Sequence, residues 1–247
     1  MPEDLVVAEG QLSQGERVVD TFVAPSKTFT DIRRSASWWL PCVIVLIFTI
    51  IAIGVPIKKI GIDQMRDGML KAMPKIQERI DSSPPDTAAA IRKSFEGSIR
   101  RNIYTIPLTL IVGGFLTGLL FMATANFAFG GKSNYWQMVA VFWYSQLPFL
   151  LLSIIGVVLI YAGVGADTYN PMNPVGTNPG YYMQGSPSVL VALLTALDVF
   201  SIWVFSLQVI GISKVAQISK GAAFGVAIIW WAIYTGIFKM LPAVFFG

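Results

Sequence analysis

Apolar positions along the chain gather into five long runs, divided by short polar punctuation. The first run, 38–57, is twenty residues without a charge, bracketed by Arg33 and Arg34 before it and Lys58 and Lys59 after it. The others cover about 103–129, 136–166, 189–211 and 221–245. A helix needs about 20 apolar residues to cross the hydrocarbon core of a bilayer. Each run therefore predicts a membrane-spanning helix, and the third is long enough to tilt or protrude. Five spans put the two ends of the chain on opposite sides. The expected fold is all-α: a polytopic membrane domain over 38–247, preceded by a tail at 1–37.

Two stretches outside the runs have a helical period. In the tail, Val18, Val19, Phe22, Phe29 and Ile32 recur at helical spacing with an interruption at Pro25. Ser26 is a candidate cap for the second piece. This segment reads either as an interfacial amphipathic helix, with Lys27, Arg33 and Arg34 toward head groups, or as a short helix packed on protein. Between the first two spans, Ile62, Met65, Met69, Ala72, Ile76 and Ile80 form one stripe and Ile91, Phe95 and Ile99 a second. Ser82-Ser83-Pro84-Pro85 stops the first, and Asp86 is a candidate cap for the next. The segment 58–101 thus predicts an extramembrane helical hairpin, its Met stripe more naturally core than ligand groove. The loop 167–188 is rich in Asn-Pro and Pro-Gly pairs and predicts turns, as a structured cap or a linker.

Composition sharpens this picture. Apolar residues make up 54% of the chain and charged ones 13%, about half the share of a soluble domain. With no histidine and one cysteine, Cys42, the chain has no means to build His-ligated haem, a His/Cys zinc site, a Cys-ligated iron–sulfur cluster or a histidine-based triad. No cofactor is expected. The charges are unevenly placed. Residues 1–37 carry four basic and six acidic groups, 58–101 carry ten and six, and 102–247 carry only four and two. A basic balance in such a chain suits anionic lipid head groups rather than nucleic acid. Trp38 and Trp39 stand where an aromatic belt belongs, and with Lys27, Arg33 and Arg34 they form the candidate head-group collar. With the tail inside, the short inner segments are basic and the loop 167–188 is not, as the positive-inside rule asks. The basic segment 58–101 then lies outside, against that rule. A cleavable leader is not expected, because polar and mixed residues come first.

Polar residues within the runs are the candidates for chemistry. Asp198 lies near the middle of the fourth run, and an acid at that depth must face protein, pair or be neutral. It is either an ion or proton site or a structural acid bonded to neighbours. Ser201, Gln146 and Tyr144 complete the candidate intramembrane polar site. Lys239, near the end of the fifth run, is expected to snorkel to the interface or to pair with Asp198. Pro148 predicts a kink that frees the carbonyl of Tyr144, with Gln146 at hand for repair. Gly114/Gly118 and Gly221/Gly225 are G-x-x-x-G pairs, expected to let helices approach closely. Gly130-Gly131-Lys132-Ser133 lacks the strand and the first glycine of a phosphate loop.

Three stretches together carry a resemblance. They are Phe22-Val23-Ala24-Pro25-Ser26-Lys27-Thr28-Phe29 with Trp38, Trp39 and Pro41; Gly130-Gly131-Lys132-Ser133 leading to Tyr144 and Pro148; and the run 173–180 followed by Asp198-Val199-Phe200-Ser201-Ile202-Trp203. In these the chain resembles the Yip-domain family, the Ypt/Rab-interacting membrane proteins, and more closely its bacterial members. The resemblance implies five helical spans with a cytoplasmic N-terminus, here in a bacterial cytoplasmic membrane. The long cytoplasmic tail of eukaryotic relatives is short here, which argues against a GTPase partner. The leading expectation is a non-enzymatic scaffold, adaptor or accessory subunit that organises membrane lipid or a protein complex. Its partners would be anionic lipids, another membrane protein or a second copy. The alternative is a small transporter or channel that uses Asp198. An enzyme acting on lipid ranks below both, for want of an acid–base or metal cluster.

Overall fold

The computed structural model describes residues 11–163, 169–183 and 188–246. Every regular element among them is helical. Two short helices, α1 (Gln14–Val23) and α2 (Pro25–Ile32), precede α3 (Trp39–Lys59). Then come α4 (Ile62–Lys71), α5 (Pro74–Asp81) and the long α6 (Pro85–Ala123), which a π-helical turn extends through Thr124–Ala128. The second half holds α7 (Tyr135–Ser145), α8 (Pro148–Tyr161), α9 (Ser188–Ala196), α10 (Val199–Ala216) and α11 (Lys220–Thr235). A second π-turn, Gly236–Met240, leads into α12 (Leu241–Phe246). Among the described residues, five stretches are long and apolar enough to cross a membrane: Trp39–Lys59, Pro85–Ala128, Tyr135–Tyr161, Val199–Ala216 and Lys220–Phe245.

Local chemistry explains most of the boundaries. A capping box starts α1: Glu16 N–H donates to Ser13 Oγ at 3.2 Å, and Ser13 N–H donates to Glu16 Oε2 at 2.7 Å. The Ser13 amide and hydroxyl hold the Glu16 carboxyl below its ordinary range. Pro25 opens α2, with Ala24 as its cap. Ser26 is therefore not the cap; it lies inside the helix, and its carbonyl accepts from Thr30 Oγ1. Pro85 takes the same first position in α6, so the cap is Pro84 and Asp86 falls in the first turn.

The extramembrane hairpin differs from its expected shape. Its second limb has no end at residue 101, because nothing between Pro85 and Ala123 stops the helix. That limb is instead the extension of the second span beyond the membrane. The two stripes pack on each other through Met65, Ile80 and Ile99, which are buried, while Ala72 is exposed and Leu70, outside the stripe, is buried in its place. Arg66 bonds Asp63 at 3.0 Å and Asp67 at 2.9 Å within α4 and ties α4 to α6 through Glu96. The fourth span also differs. It is broken at Leu197–Asp198, and only Val199–Ala216 is long enough to cross. In the third span Pro148 divides α7 from α8 as the sequence predicts. Its repair comes from the backbone, since the Tyr144 carbonyl accepts Leu147 N–H at 3.2 Å.

Helix α7 is the centre of the bundle. Every residue from Gln137 to Ser145 is buried, under α6, α10, α3, α2 and α1. Close approach of α6 depends on glycine. A Cβ on Gly114 would stand 2.7 Å from Phe142 Cε1, and one on Gly118 only 2.6 Å from Val139 Cγ2. The pair Gly114/Gly118 thus packs within the chain. The second pair does not act this way: beside Gly221 the nearest atom is Ser219 Oγ at 3.9 Å, and beside Gly225 it is the tip of Phe129 at 3.3 Å.

Candidate functional site

The tail is part of the bundle. Phe29 and Ile32 are fully buried, and a Cβ on Gly211 of α10 would stand 3.0 Å from Phe29 Cε1. Of the two readings of the tail, these residues follow the protein-packed one. The pair α1–α2 lies on α10 and α7 and carries a charge into the interior. Arg17 is fully buried, and its Nε donates to Asp31 Oδ2 at 2.6 Å and its Nη1 to the Ser35 carbonyl at 2.9 Å. The Arg17 carbonyl accepts from Thr21 and Thr28, which binds both short helices at one point. Tyr144 of α7 donates to Gln14 Oε1 at 3.1 Å. Gln137 Nε2 donates to the Arg33 carbonyl at 2.8 Å and holds the chain where it turns toward α3.

A second polar site lies at the other end of the bundle. Asp198 is the cap of α10: its Oδ1 accepts Phe200 N–H at 2.9 Å and Ser201 N–H at 3.3 Å. Its Oδ2 accepts the hydroxyl of Thr177, from the loop after α8. The same loop enters the break through its backbone. Val199 N–H donates to the Thr177 carbonyl at 3.2 Å, instead of to Thr195 four residues back. That leaves the Thr195 carbonyl without its helical partner, a costly state in an apolar setting. Lys239 fills the gap, its Nζ 3.1 Å from Thr195 O. The lysine lies within electrostatic reach of Asp198, yet its bond goes to the carbonyl. The π-turn at Gly236–Met240 carries Lys239 and is the local irregularity at that contact.

The described part of the 167–188 loop is folded rather than a plain linker. Asn173 and Asn178 exchange side-chain hydrogen bonds at 2.8 and 3.2 Å, and Asn178 caps the turn Pro179–Tyr182. Gly180 presses on α9, where a Cβ would stand 2.4 Å from Thr195 Oγ1.

The structure therefore divides the four candidate intramembrane residues between two ends. Asp198 meets Ser201 through a backbone amide. Tyr144 belongs with Gln14 near the Arg17–Asp31 pair. Gln146 is buried at the end of α7, where its backbone N–H donates to the Phe142 and Trp143 carbonyls. Sequence reasoning missed Arg17, Asp31 and Thr177. The available signal was weak: Arg17 and Thr21 share a helical face, and a buried arginine looks in sequence like any solvated one.

The candidate collar is spread over one end of the bundle. Arg33 and Arg34 are exposed just before α3, and Lys27 is exposed with Asp20 at 3.2 Å. Trp39 is exposed, whereas Trp38 stacks on Trp136 at 6.0 Å and edges Phe115 at 5.0 Å. Lys132, Lys214 and Lys220 are exposed at this same end, because the loop before α7 and the turn between α10 and α11 meet there; Lys132 N–H donates to the Ala216 carbonyl at 3.0 Å. No group of three His, Cys, Asp or Glu side chains fit to hold a metal occurs among the described residues.

Comparison with known proteins agrees with this architecture. The chain is 27% identical over 228 residues to the membrane protein YknW of Bacillus subtilis (strain 168), an alignment covering 91% of this chain and 89% of the relative. No solved structure matches it. The model of the Yip1 domain matches residues 19–241, which take in α2, four spans whole, most of the fifth and the loop that pins Asp198. The chain is accordingly a multi-pass membrane protein of the Yip1-domain family.

Proposed function

We propose that the protein is a non-enzymatic membrane scaffold that gathers anionic lipid at the face bearing its N-terminal helices. The observation that carries this reading is the fate of the buried charged groups. Asp198 already accepts from three donors and Arg17 already pairs with Asp31, so both are committed to joining helices. Free charge is found instead on the surface, where Arg33, Lys132, Lys214 and Lys220 stand exposed at one end of the bundle. Each such cation contributes about 1 kcal/mol of attraction to an anionic membrane surface. We take this face to be cytoplasmic, in a bacterial inner membrane, since its short connections are the basic ones. A satisfied carboxylate weighs against the alternative of a proton- or cation-coupled transporter built on Asp198.

The test is lipid enrichment around the reconstituted chain. A donor dye is attached to Ser219→Cys, with the buried Cys42 replaced by alanine, and acceptor-labelled phosphatidylglycerol or phosphatidylcholine is present at low density. Energy transfer should be clearly greater to phosphatidylglycerol. The quadruple variant Arg33→Gln, Lys132→Gln, Lys214→Gln, Lys220→Gln should bring it down to the phosphatidylcholine level. Equal transfer to both lipids in the unaltered surface would overturn the proposal.

A further inference from the structure

The opposite end of the bundle combines a cavity with two exposed lysines. Between α3 and α8, below the described part of the loop, is a cavity of about 130 Å³. Ala52 of α3 and Leu152, Ser153 and Gly156 of α8 line it, together with Tyr169 and Val175 of the loop. It has room for roughly four groups of methylene or water size, at about 30 Å³ each. Apolar cavities of this size stay dry and accept apolar ligands. Gly156 contributes to the space: a Cβ there would make only ordinary contact, 3.5 Å from Val175 Cγ2. The walls are half-exposed, and the neighbouring Ile155 and Val158 face outward, so the cavity communicates with the lipid-facing surface.

Charge stands directly above it. Lys59 is seven residues beyond Ala52 on α3, hence on the same helical face and about 10 Å farther along the axis. Its ammonium lies 4.7 Å from the ring centre of Tyr161, which fixes it over the seam between α3 and α8. Lys58 is exposed beside it. A phosphate at these lysines would hang an acyl chain along the seam and into the cavity. The head-group level is marked independently by Tyr161, which is 62% exposed at the end of α8.

We infer that this seam is a binding site for one anionic phospholipid of the leaflet on the α4–α5 side, with its phosphate at Lys58 and Lys59 and an acyl chain between Ala52 and Gly156. The inference deepens the lipid-organising reading and uses a different set of residues. The full chain is reconstituted with phosphatidylglycerol or phosphatidylcholine bearing the same photoreactive diazirine acyl chain, and labelled peptides are mapped. Labelling from the phosphatidylglycerol probe should concentrate on the peptides holding Ala52 and Leu152–Ile160. It should fall about fivefold for each lysine exchanged in Lys58→Gln and Lys59→Gln. Gly156→Leu fills the cavity and should reduce labelling there by both probes, while exposed Leu108 on α6 keeps its own. The surface lysine variants carry the test if Gly156→Leu does not fold. Equal labelling by both probes, or unchanged labelling after both lysines are exchanged, overturns the site. Because the Ser219 dye reports the other face, either reading can fail without the other.

Discussion

Asp31→Ala should cost about 3–5 kcal/mol of stability, the largest loss expected from any single side chain of the tail. The reason is geometric. Arg17 is fully buried, and among the described residues Asp31 is its one carboxylate partner, at 2.6 Å. Removing the acid leaves a guanidinium inside the protein with only the Ser35 carbonyl and its other neutral neighbours. The whole α1–α2 unit hangs on this point, through Thr21 and Thr28 on the Arg17 carbonyl. Melting in detergent should shift down strongly, and protease should cut between α1 and α2 far faster. The double variant Arg17→Met/Asp31→Leu should recover most of the loss, because an apolar pair of similar volume removes the desolvation cost along with the attraction. Full stability in Asp31→Ala would show that the pair does not hold the tail.

Gly118→Leu should be nearly as damaging, at about 3 kcal/mol or more. The first added carbon would lie 2.6 Å from Val139 Cγ2 and within 3.0 Å of the Val139 backbone, which has no rotamer to change. Helix α6 would be pushed away from α7, the buried centre of the bundle. Gly225→Ala offers the contrast. Its Cβ would meet only the end of the Phe129 ring at 3.3 Å, a group able to turn, so the change should stay within about 0.5 kcal/mol. Thermal melts of the two variants, side by side, check this. Equal losses would contradict the view that only the first G-x-x-x-G pair is a packing seam.

The contrast also shows how far the sequence could be read. Long uncharged runs identify spans because the cost of a charge in lipid is large, and each of the five runs overlaps a helix long enough to cross, although in the fourth that helix begins only at Val199. Pro25 and Pro148 mark breaks because a ring in place of an N–H acts locally. The break at Leu197–Asp198 has no such signal. It arises because Thr177, twenty-one residues earlier, bonds Asp198 and draws the Val199 amide out of the helix. Lys239 then completes the junction from another span. Long-range pairings of this kind leave no period in the sequence. The same holds for Arg17 and Asp31, whose spacing of fourteen residues reflects a turn at Pro25 and not a motif. Glycine pairs present the opposite difficulty. Gly114/Gly118 and Gly221/Gly225 have one pattern, and only the neighbouring helix distinguishes them.

The central claim is that polar groups within the spans join helices and do not carry ions. Proton flux tests it most directly. Vesicles containing the reconstituted chain and an internal pH dye are placed under a pH gradient, with the membrane potential clamped by potassium and valinomycin. Asp198→Asn is compared with the unaltered chain, since an asparagine keeps the α10 cap and most of the contact with Thr177 while removing the titratable group. The account predicts decay of the gradient at the protein-free rate in both. Rapid decay with the unaltered chain that Asp198→Asn abolishes would contradict it.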